Sequence, residues 1–436
     1  MDSIRIRGGK PLQGKIEISG AKNAALPLMV ASLLTDDTLT LSNLPHVADI
    51  STLITLLCQH GATAAMNGEA ANGGGSDGRS LSIRAANITN TEAPYDIVRK
   101  MRAGALVMGP LLARIGEARV SLPGGCAIGT RPMNLHISGL EQMGAKITIA
   151  GGYMEAVAPH GLKGAEIRFE TVSVGATENL LMAACLAKGT TILENAAKEP
   201  EITDLVQLLR QMGAQIEGDG TDKLVVHGVD KLHGTSYRVM PDRIETGTYA
   251  IAAVITGGKI ELSNTNAELV RSVLDALVEA GAEIHETQDG FIISREGTVI
   301  RGVDIMTLPY PGYPTDMQAQ FMALMTIAKG AGVITETIFE NRFMHVPELA
   351  RLGANITVHG HSALVRRLWP RIYALLSHWC LQAWQQREKP LSIVYIIWIE
   401  DMSAWRRSWP RAVQILNASI RAEHRLRAGP EECPRV

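Results

Sequence analysis

The residues best able to do chemistry in this sequence lie in SLPGGCAIGTRPMNL, Ser121 to Leu135. Cys126 has Gly124 and Gly125 before it and Gly129 after it, and Arg131 follows close behind. The glycines let the backbone take positive φ and move. A nearby cation lowers the pKa of a thiol. The pattern presents a proton donor or nucleophile beside a fixed positive charge; it equally describes a tight turn around a small buried thiol. Lys22 and Asn23 follow Ser19-Gly20 and open an apolar run. A helix N-terminus bearing a lysine can hold phosphate through its backbone donors and its charge, and it can also be a plain cap with an exposed lysine. The GK[ST] pattern of a Walker loop is absent. Asp316, in PTDMQAQF, opens another apolar run, where the helix dipole favours an acid whatever its role.

These residues must be held by a repeated framework. A leucine-rich helix ending in Gly-Ala and passing into a strand occurs five times: Leu56 to Ala64, Leu140 to Thr148, Leu208 to Glu217, Leu277 to His285 and Leu349 to Thr357. Gly61, Gly144, Gly213, Gly281 and Gly353 are the expected residues just past each helix end, and their spacing gives a unit of about seventy residues. Asn67 to Ser80, NGEAANGGGSDGRS, lengthens the first interval as a polar hairpin or loop insertion. Four apolar helices recur as well, in SGAKNAALPLMVASLL, VSVGATENLLMAACLA, RIETGTYAIAAVIT and TDMQAQFMALMTIA. Each precedes a strand such as TLTLSNLP, TTILENAA, KIELSNTN or VITETIFE. Helices apolar nearly all round must be buried, so the units must stack.

Composition narrows the class. The 436 residues predict two or three domains with ample core. A net charge of −2 offers no basic surface for nucleic acid. The opening MDSIRIRGGKPLQGK lacks the apolar segment of a signal peptide, and the longest apolar tail run, Leu391 to Ile399, is too short for a membrane. Five cysteines at irregular spacing, with no CxxC pair or histidine cluster, predict reduced thiols, no metal and a cytoplasmic protein.

With these motifs in place, the sequence resembles the enolpyruvyl transferases over roughly residues 1 to 365, on the branch that acts on a UDP-sugar. The resemblance rests on SGAKNAALPL, KMRAG, SLPGGCAIGTRP, LHISGLEQMGA, VSVGAT, ENAAKEPEI, DRIETGT, PTDMQAQF and ENRFMHVPEL. It implies an α/β fold of two domains, an inside-out α/β barrel of repeated βαβαββ-type units, three to a domain. The first domain would span 22–240 with the Cys126 loop, and the second would combine 1–21 with 241–367. Crossovers would fall near Ala21 and between Val239 and Asp242.

The resemblance also implies the reaction: the enolpyruvyl group of phosphoenolpyruvate moves to the 3-hydroxyl of UDP-N-acetylglucosamine, and phosphate leaves. This is the first committed step of peptidoglycan synthesis, and it needs no cofactor, metal, nucleic acid or membrane. Cys126 would be the proton donor and the target of fosfomycin. Lys22 and Asn23 would meet phosphoenolpyruvate. Arg131 would hold phosphate, with Pro132, Met133, Asn134 and Leu135 along the nucleotide and Arg102 as a nucleotide-side cation. Thr171, Val172, Ser173 and Val174 would contact the uridine diphosphate. Asp316 would accept the proton of the sugar hydroxyl, and Ile338 and Phe339 would line the cleft. Asn134 stands where the family more often has an acid, and Thr171 where it often has a lysine. The alternatives are the shikimate branch of the same fold and a catalytically dead protein that only binds nucleotide sugar or a partner.

The tail departs from all this. A sixth Gly-Ala signal is due near residue 420 and is absent. All six tryptophans lie there instead: Trp369, Trp379, Trp384, Trp398, Trp405 and Trp409. A shifted reading frame accounts for the change. Taking the third base of each codon with the first two of the next, Trp398-Ile399 must give Asp and Trp379-Cys380 must give Val. With allowed synonymous bases, Ser392 to Ala418 rereads as NRIYHLDRGYERMEEKLA, one ambiguous residue, then RGANIER. Arg371 to Gln386 admits DLRAS followed by SLVLAGLAA. These strings resemble the missing sixth unit, so 368–436 is expected to be an aberrant ending from a frame slip near Val365 to Trp369. The rival reading is a genuine tryptophan-rich extension.

Overall fold

The structure, a computed structural model, describes residues 8–67, 79–99, 101–123, 133–295, 297 and 299–366. Each Gly-Ala signal ends a helix on a left-handed residue, with φ of +100° at Gly61, +95° at Gly144, +103° at Gly213, +111° at Gly281 and +94° at Gly353. A side chain is strained there, which is why glycine recurs. The helices so ended are Ala48–Gln59, Asn134–Gln142, Pro200–Gln211, Arg271–Ala280 and Val346–Arg351. The strand after each one is an edge of a four-stranded sheet.

The five sheets share one plan. In one of them Glu92–Ala93 runs parallel to Glu117–Ser121, which is antiparallel to Tyr153–Val157, itself antiparallel to Lys146–Ala150. Along the chain this is the order strand, helix, strand, helix, strand, strand. The sheets stay separate, each with two edges, so no closed barrel forms among the described residues. The sixth unit expected by resemblance, and the tail beyond residue 366, lie outside the described residues.

Two sheets borrow their first strand from a distant part of the chain. Gln13–Glu17 lies parallel to Lys259–Ser263, and Ser236–Arg238 lies parallel to part of Thr38–Leu44. The unit plan would lead Gln13–Glu17 into the helix Arg243–Thr256, and Ser236–Arg238 into the helix Lys22–Val30. The chain makes the opposite connections. The two crossing segments meet in an antiparallel bridge between Gly20 and Pro241. The Ala21 amide donates to the Met240 carbonyl at 2.8 Å and the Asp242 amide to the Ser19 carbonyl at 2.9 Å. A β-carbon on Gly20 would come within 1.7 Å of the Asn43 carbonyl oxygen, so this approach requires glycine.

Asn43, Asn195 and Asn264 are the non-glycine residues with positive φ among those described. They occupy the same place in three units, just after LS, LE and LS. Asparagine tolerates this conformation, and its side chain gives a reason for it. The three amides donate to the carbonyls of Val239, Phe169 and Ile18, tying each strand end to its neighbour.

The apolar helices form the centres of two hydrophobic clusters. One cluster runs from Ala21 to Val239; the other joins Ile18 to residues between Ala250 and Val365. Every residue of Lys22–Val30 except Asn23 is buried, as is all of Ala176 to Ala184 within the helix Val174–Ala184. Among the described residues no helix is long and apolar enough to cross a membrane.

Candidate active site

Of the residues singled out above, Cys126, Arg131 and Pro132 lie outside the described residues, as does the side chain of Arg102, whose backbone begins the 3-10 turn Arg102–Val107. The others fall into two groups. The first surrounds the helices Asn134–Gln142 and Val174–Ala184. Met133, Leu135, Val172 and Val174 pack half-buried against the larger core, while Asn134 and Thr171 are exposed. Ser173 caps the second helix, its hydroxyl accepting from the Ala176 amide at 3.3 Å. His136 and Asn179 join the two helices, with 2.9 Å between Nδ1 and Nδ2, and Asn179 Oδ1 also accepts from the Gly109 amide. The segments 133–135 and 171–174 are thus held side by side by buried polar groups.

The second group lies on the two sides of the exchange point, where Asp242 meets the Lys22 amide and the adjoining Arg243 feels the charge of Asp316. Lys22 begins its helix almost wholly buried, unlike the exposed lysine of an ordinary cap. Its Nζ lies 3.6 Å from Asp49 Oδ2, in the first turn of Ala48–Gln59. A buried ammonium needs such a partner to remain charged. Asn23 is exposed beside it. Asp316 sits in a 3-10 turn, Thr315–Met317, that precedes the helix Gln318–Met325; the expectation that it opens the helix itself is corrected. Arg342 donates to its carboxylate at 2.7 Å. The same guanidinium lies 5.4 Å from the Phe339 ring centre.

Three further groups organise this region, and sequence reasoning assigned none of them a role. Glu336 is buried and accepts from Thr307, Ile338 and Phe339 through one oxygen and from Thr315 through the other. It therefore fixes Ile338 and Phe339 against the turn that carries Asp316. Arg243, at the start of Arg243–Thr256, grips buried Glu201 through both carboxylate oxygens, at 2.8 and 3.1 Å. Burial opposes its charge, but Glu201, Asp316 and Glu199 together outweigh that and raise its pKa. Glu199 accepts from the Tyr310 amide at 3.4 Å, and burial pushes its carboxyl up. Arg342 and Arg243 stand in ENRFMHVPEL and DRIETGT, Glu199 and Glu201 in ENAAKEPEI, and Glu336 in the strand-bearing stretch VITETIFE, so only membership of these stretches marked them.

The arrangement combines a buried lysine, two arginines and a half-exposed carboxylate, which suits an anionic substrate that gives up or receives a proton. Comparisons with known proteins identify the family. Residues 6–368 match the family model described as EPSP synthase (3-phosphoshikimate 1-carboxyvinyltransferase). The chain is 63% identical over 373 residues to the UDP-N-acetylglucosamine 1-carboxyvinyltransferase of Rhodospirillum centenum, covering 85% of this chain and 86% of that one. It is also 63% identical over 366 residues to the protein of that name from Paramagnetospirillum magneticum, covering 84% of each. The solved enolpyruvyl transferase NikO from Streptomyces tendae shares the fold, with a TM-score of 0.77 at 21% identity over 95% of this chain and 97% of that one. EPSP synthase from Acinetobacter baumannii shares it with a TM-score of 0.62 at 18% identity over 83% of each. An identity of 63% across most of both chains decides the branch: this chain belongs to the UDP-N-acetylglucosamine 1-carboxyvinyltransferase family of enolpyruvyl transferases.

Proposed function

We propose that this chain transfers the enolpyruvyl group of phosphoenolpyruvate to the 3-hydroxyl of UDP-N-acetylglucosamine and releases phosphate, with the site between the units 22–240 and 1–21 plus 241–367. The observation that carries the reading is the 63% identity to a relative of that name. The path from the Lys22 amide through Asp242 and the neighbouring Arg243 to Asp316 and Arg342 supports it.

The chemistry is an addition followed by an elimination. The sugar oxygen bonds to C2 of phosphoenolpyruvate while C3 gains a proton, making a methyl group. Cys126 is the donor of that proton, and Asp316 receives the hydroxyl proton. The C2–O bond to phosphate then breaks as the methyl group gives back a proton, which restores the double bond. Lys22 offers a fixed charge for the phosphate, and a charge already in place needs no reorganisation as negative charge moves. Glu336 keeps Asp316 and Ile338 in register, so the acceptor and the cleft wall move as one piece.

The test is phosphate release from both substrates, with the sugar product weighed by mass spectrometry. A sugar heavier by one enolpyruvyl group, with release dependent on the UDP-sugar, supports the reading. Release with 3-phosphoshikimate instead would move the chain to the other branch. Binding of the UDP-sugar without any release would leave a nucleotide-sugar-binding protein.

A further inference from the structure

Where the chain exchanges its two crossing segments, one carboxylate serves two helices. Asp242 precedes Arg243–Thr256 and caps it through Oδ1, which accepts from the Ile244 amide at 2.7 Å and the Glu245 amide at 3.0 Å. Its other oxygen, Oδ2, accepts from the Lys22 amide at 3.3 Å, the first residue of the helix Lys22–Val30. By the unit plan Lys22–Val30 is the helix that should follow Ser236–Arg238, and Asp242 stands where that helix would begin. The side chain thus completes by hydrogen bond the connection that the backbone does not make.

An ordinary cap needs one oxygen, and serine, threonine or asparagine supplies it. A second acceptor oxygen on the same residue is the particular property of a carboxylate. It is costly at this place, because Asp242 is buried and burial raises its pKa. Two helix N-termini, each with positive partial charge, offset part of that cost. A second tie runs beside it: the Ser19 amide and hydroxyl both donate to Glu245. The next residue, Arg243, reaches the other way, to Glu201 of the larger core. The start of Arg243–Thr256 therefore holds two helices of the larger cluster by two successive side chains.

We infer that Asp242 is a positioning residue for Lys22: it sets the start of the Lys22 helix against the Arg243 helix, and so places the ammonium for a substrate phosphate group. The inference rests on the proposed function, which gives Lys22 that ligand. Lys22 Nζ is steered within this frame by Asp49. A shift of the helix start moves the charge relative to Asp316 and Arg342, which belong to the smaller cluster's side of the exchange.

Asp242→Asn separates the two tasks. Its Oδ1 can still cap Ile244 and Glu245, but the amide nitrogen cannot accept from the Lys22 amide. Asp242→Ala removes both. In the full chain, calorimetry would give the affinities for phosphoenolpyruvate and for UDP-N-acetylglucosamine, and hydrogen exchange would follow the Lys22 amide. For Asp242→Asn the expected result is a melting temperature near that of the parent, faster exchange at Lys22, and phosphoenolpyruvate binding weaker by about tenfold or more, since small misplacements of a charged group are costly. UDP-N-acetylglucosamine affinity should stay within about twofold, because that ligand's contacts lie elsewhere. Unchanged phosphoenolpyruvate binding in Asp242→Asn, with a lowered melting temperature in Asp242→Ala, would make Asp242 a simple cap and overturn the inference. Equal loss of both ligands together with a collapse in melting would also overturn it, as a purely structural effect. An unaltered chain that binds neither substrate would overturn the proposed function and this inference together.

Discussion

Arg342 and Asp316 form an asymmetric pair: the guanidinium side chain is 3% exposed and the carboxylate 24%, at 2.7 Å. One end of the pair is sealed in the protein and the other faces outward. Arg342 Nη1 is buried with no hydrogen-bond partner among the described residues. Asp316 is therefore the main counter-charge of a buried cation as well as the proposed proton acceptor. Removing it as Asp316→Ala should destabilise the chain by roughly 3 kcal/mol in urea unfolding, because a buried charge loses its partner. The double change Asp316→Ala with Arg342→Met should recover most of that stability and none of the activity. Asp316→Asn should keep the fold and slow phosphate release by about a hundredfold or more, as expected for loss of a general base. Unfolding free energies that do not distinguish the single from the double change would show that the pair carries no such dependence.

A pH signature comes from a different carboxylate. Asp204 accepts from the Tyr237 hydroxyl at 2.7 Å and from the Met240 amide at 3.4 Å. Burial pushes its pKa up from 3.8 to about 6, although those hydrogen bonds pull it down. A folded pKa above the unfolded value means the folded state holds the proton more tightly. Its contribution to stability is thus full below about pH 4 and is lost as pH rises through about 6. Asp204→Asn is neutral throughout, so its melting temperature relative to the parent should climb between pH 4 and 7. A difference that stays flat across that range, or falls, would contradict the assignment.

The two described cysteines, Cys58 and Cys185, are poor nucleophiles, since burial raises the pKa of both thiols. Cys185 is fully buried, and burial pushes its thiol up to about 12. Cys58 is exposed on Ala48–Gln59, and partial burial still raises its pKa. Among the described residues no cation shifts either thiol, whereas Arg131 follows Cys126 in sequence. Fosfomycin should therefore add to Cys126, as read by mass spectrometry of the digested protein. An adduct on Cys185 with none on Cys126 would remove the proposed proton donor.

The repeat was legible because its markers are local. A glycine after a leucine-rich helix encodes a left-handed end, and all five such glycines have that conformation. The apolar helices were legible for the same reason, since a helix without a polar face has to be buried. Lys22 stood at the start of one such helix and Asp316 in the turn just before another, so both could be noticed. The groups that hold them could not. Asp242 meets the Lys22 amide across 220 positions, and Arg342 reaches Asp316 from a different part of its unit. No periodicity records which distant side chains converge, so these pairings emerged only with the topology. The exchange itself leaves one faint local trace, Gly20, whose missing side chain admits the Asn43 carbonyl.

Residues 368–436 depart from the repeated framework that precedes them. The family match stops at residue 368, close to the place where rereading the codons restores a family-like sequence. Three of the five described sheets belong with the larger hydrophobic cluster and two with the smaller. The family plan of three units in each domain thus leaves one unit to be supplied after Arg366. The reread strings contain DLR and DRGYER, whose arginines the resemblance places on substrate phosphate and carboxylate. A site that depends on charges fixed in advance loses rate steeply when they are missing. A repeated unit also depends on its neighbours to cover its apolar face, so an absent unit lowers the stability of the next one. The comparison is between this chain and one in which everything after residue 367 is replaced by the reread sequence. The repaired chain should melt higher and release phosphate faster by about a hundredfold or more, the scale of removing fixed cations from such a site. Equal turnover and equal melting in the two proteins would establish the tail as a working ending and the rereading as coincidence.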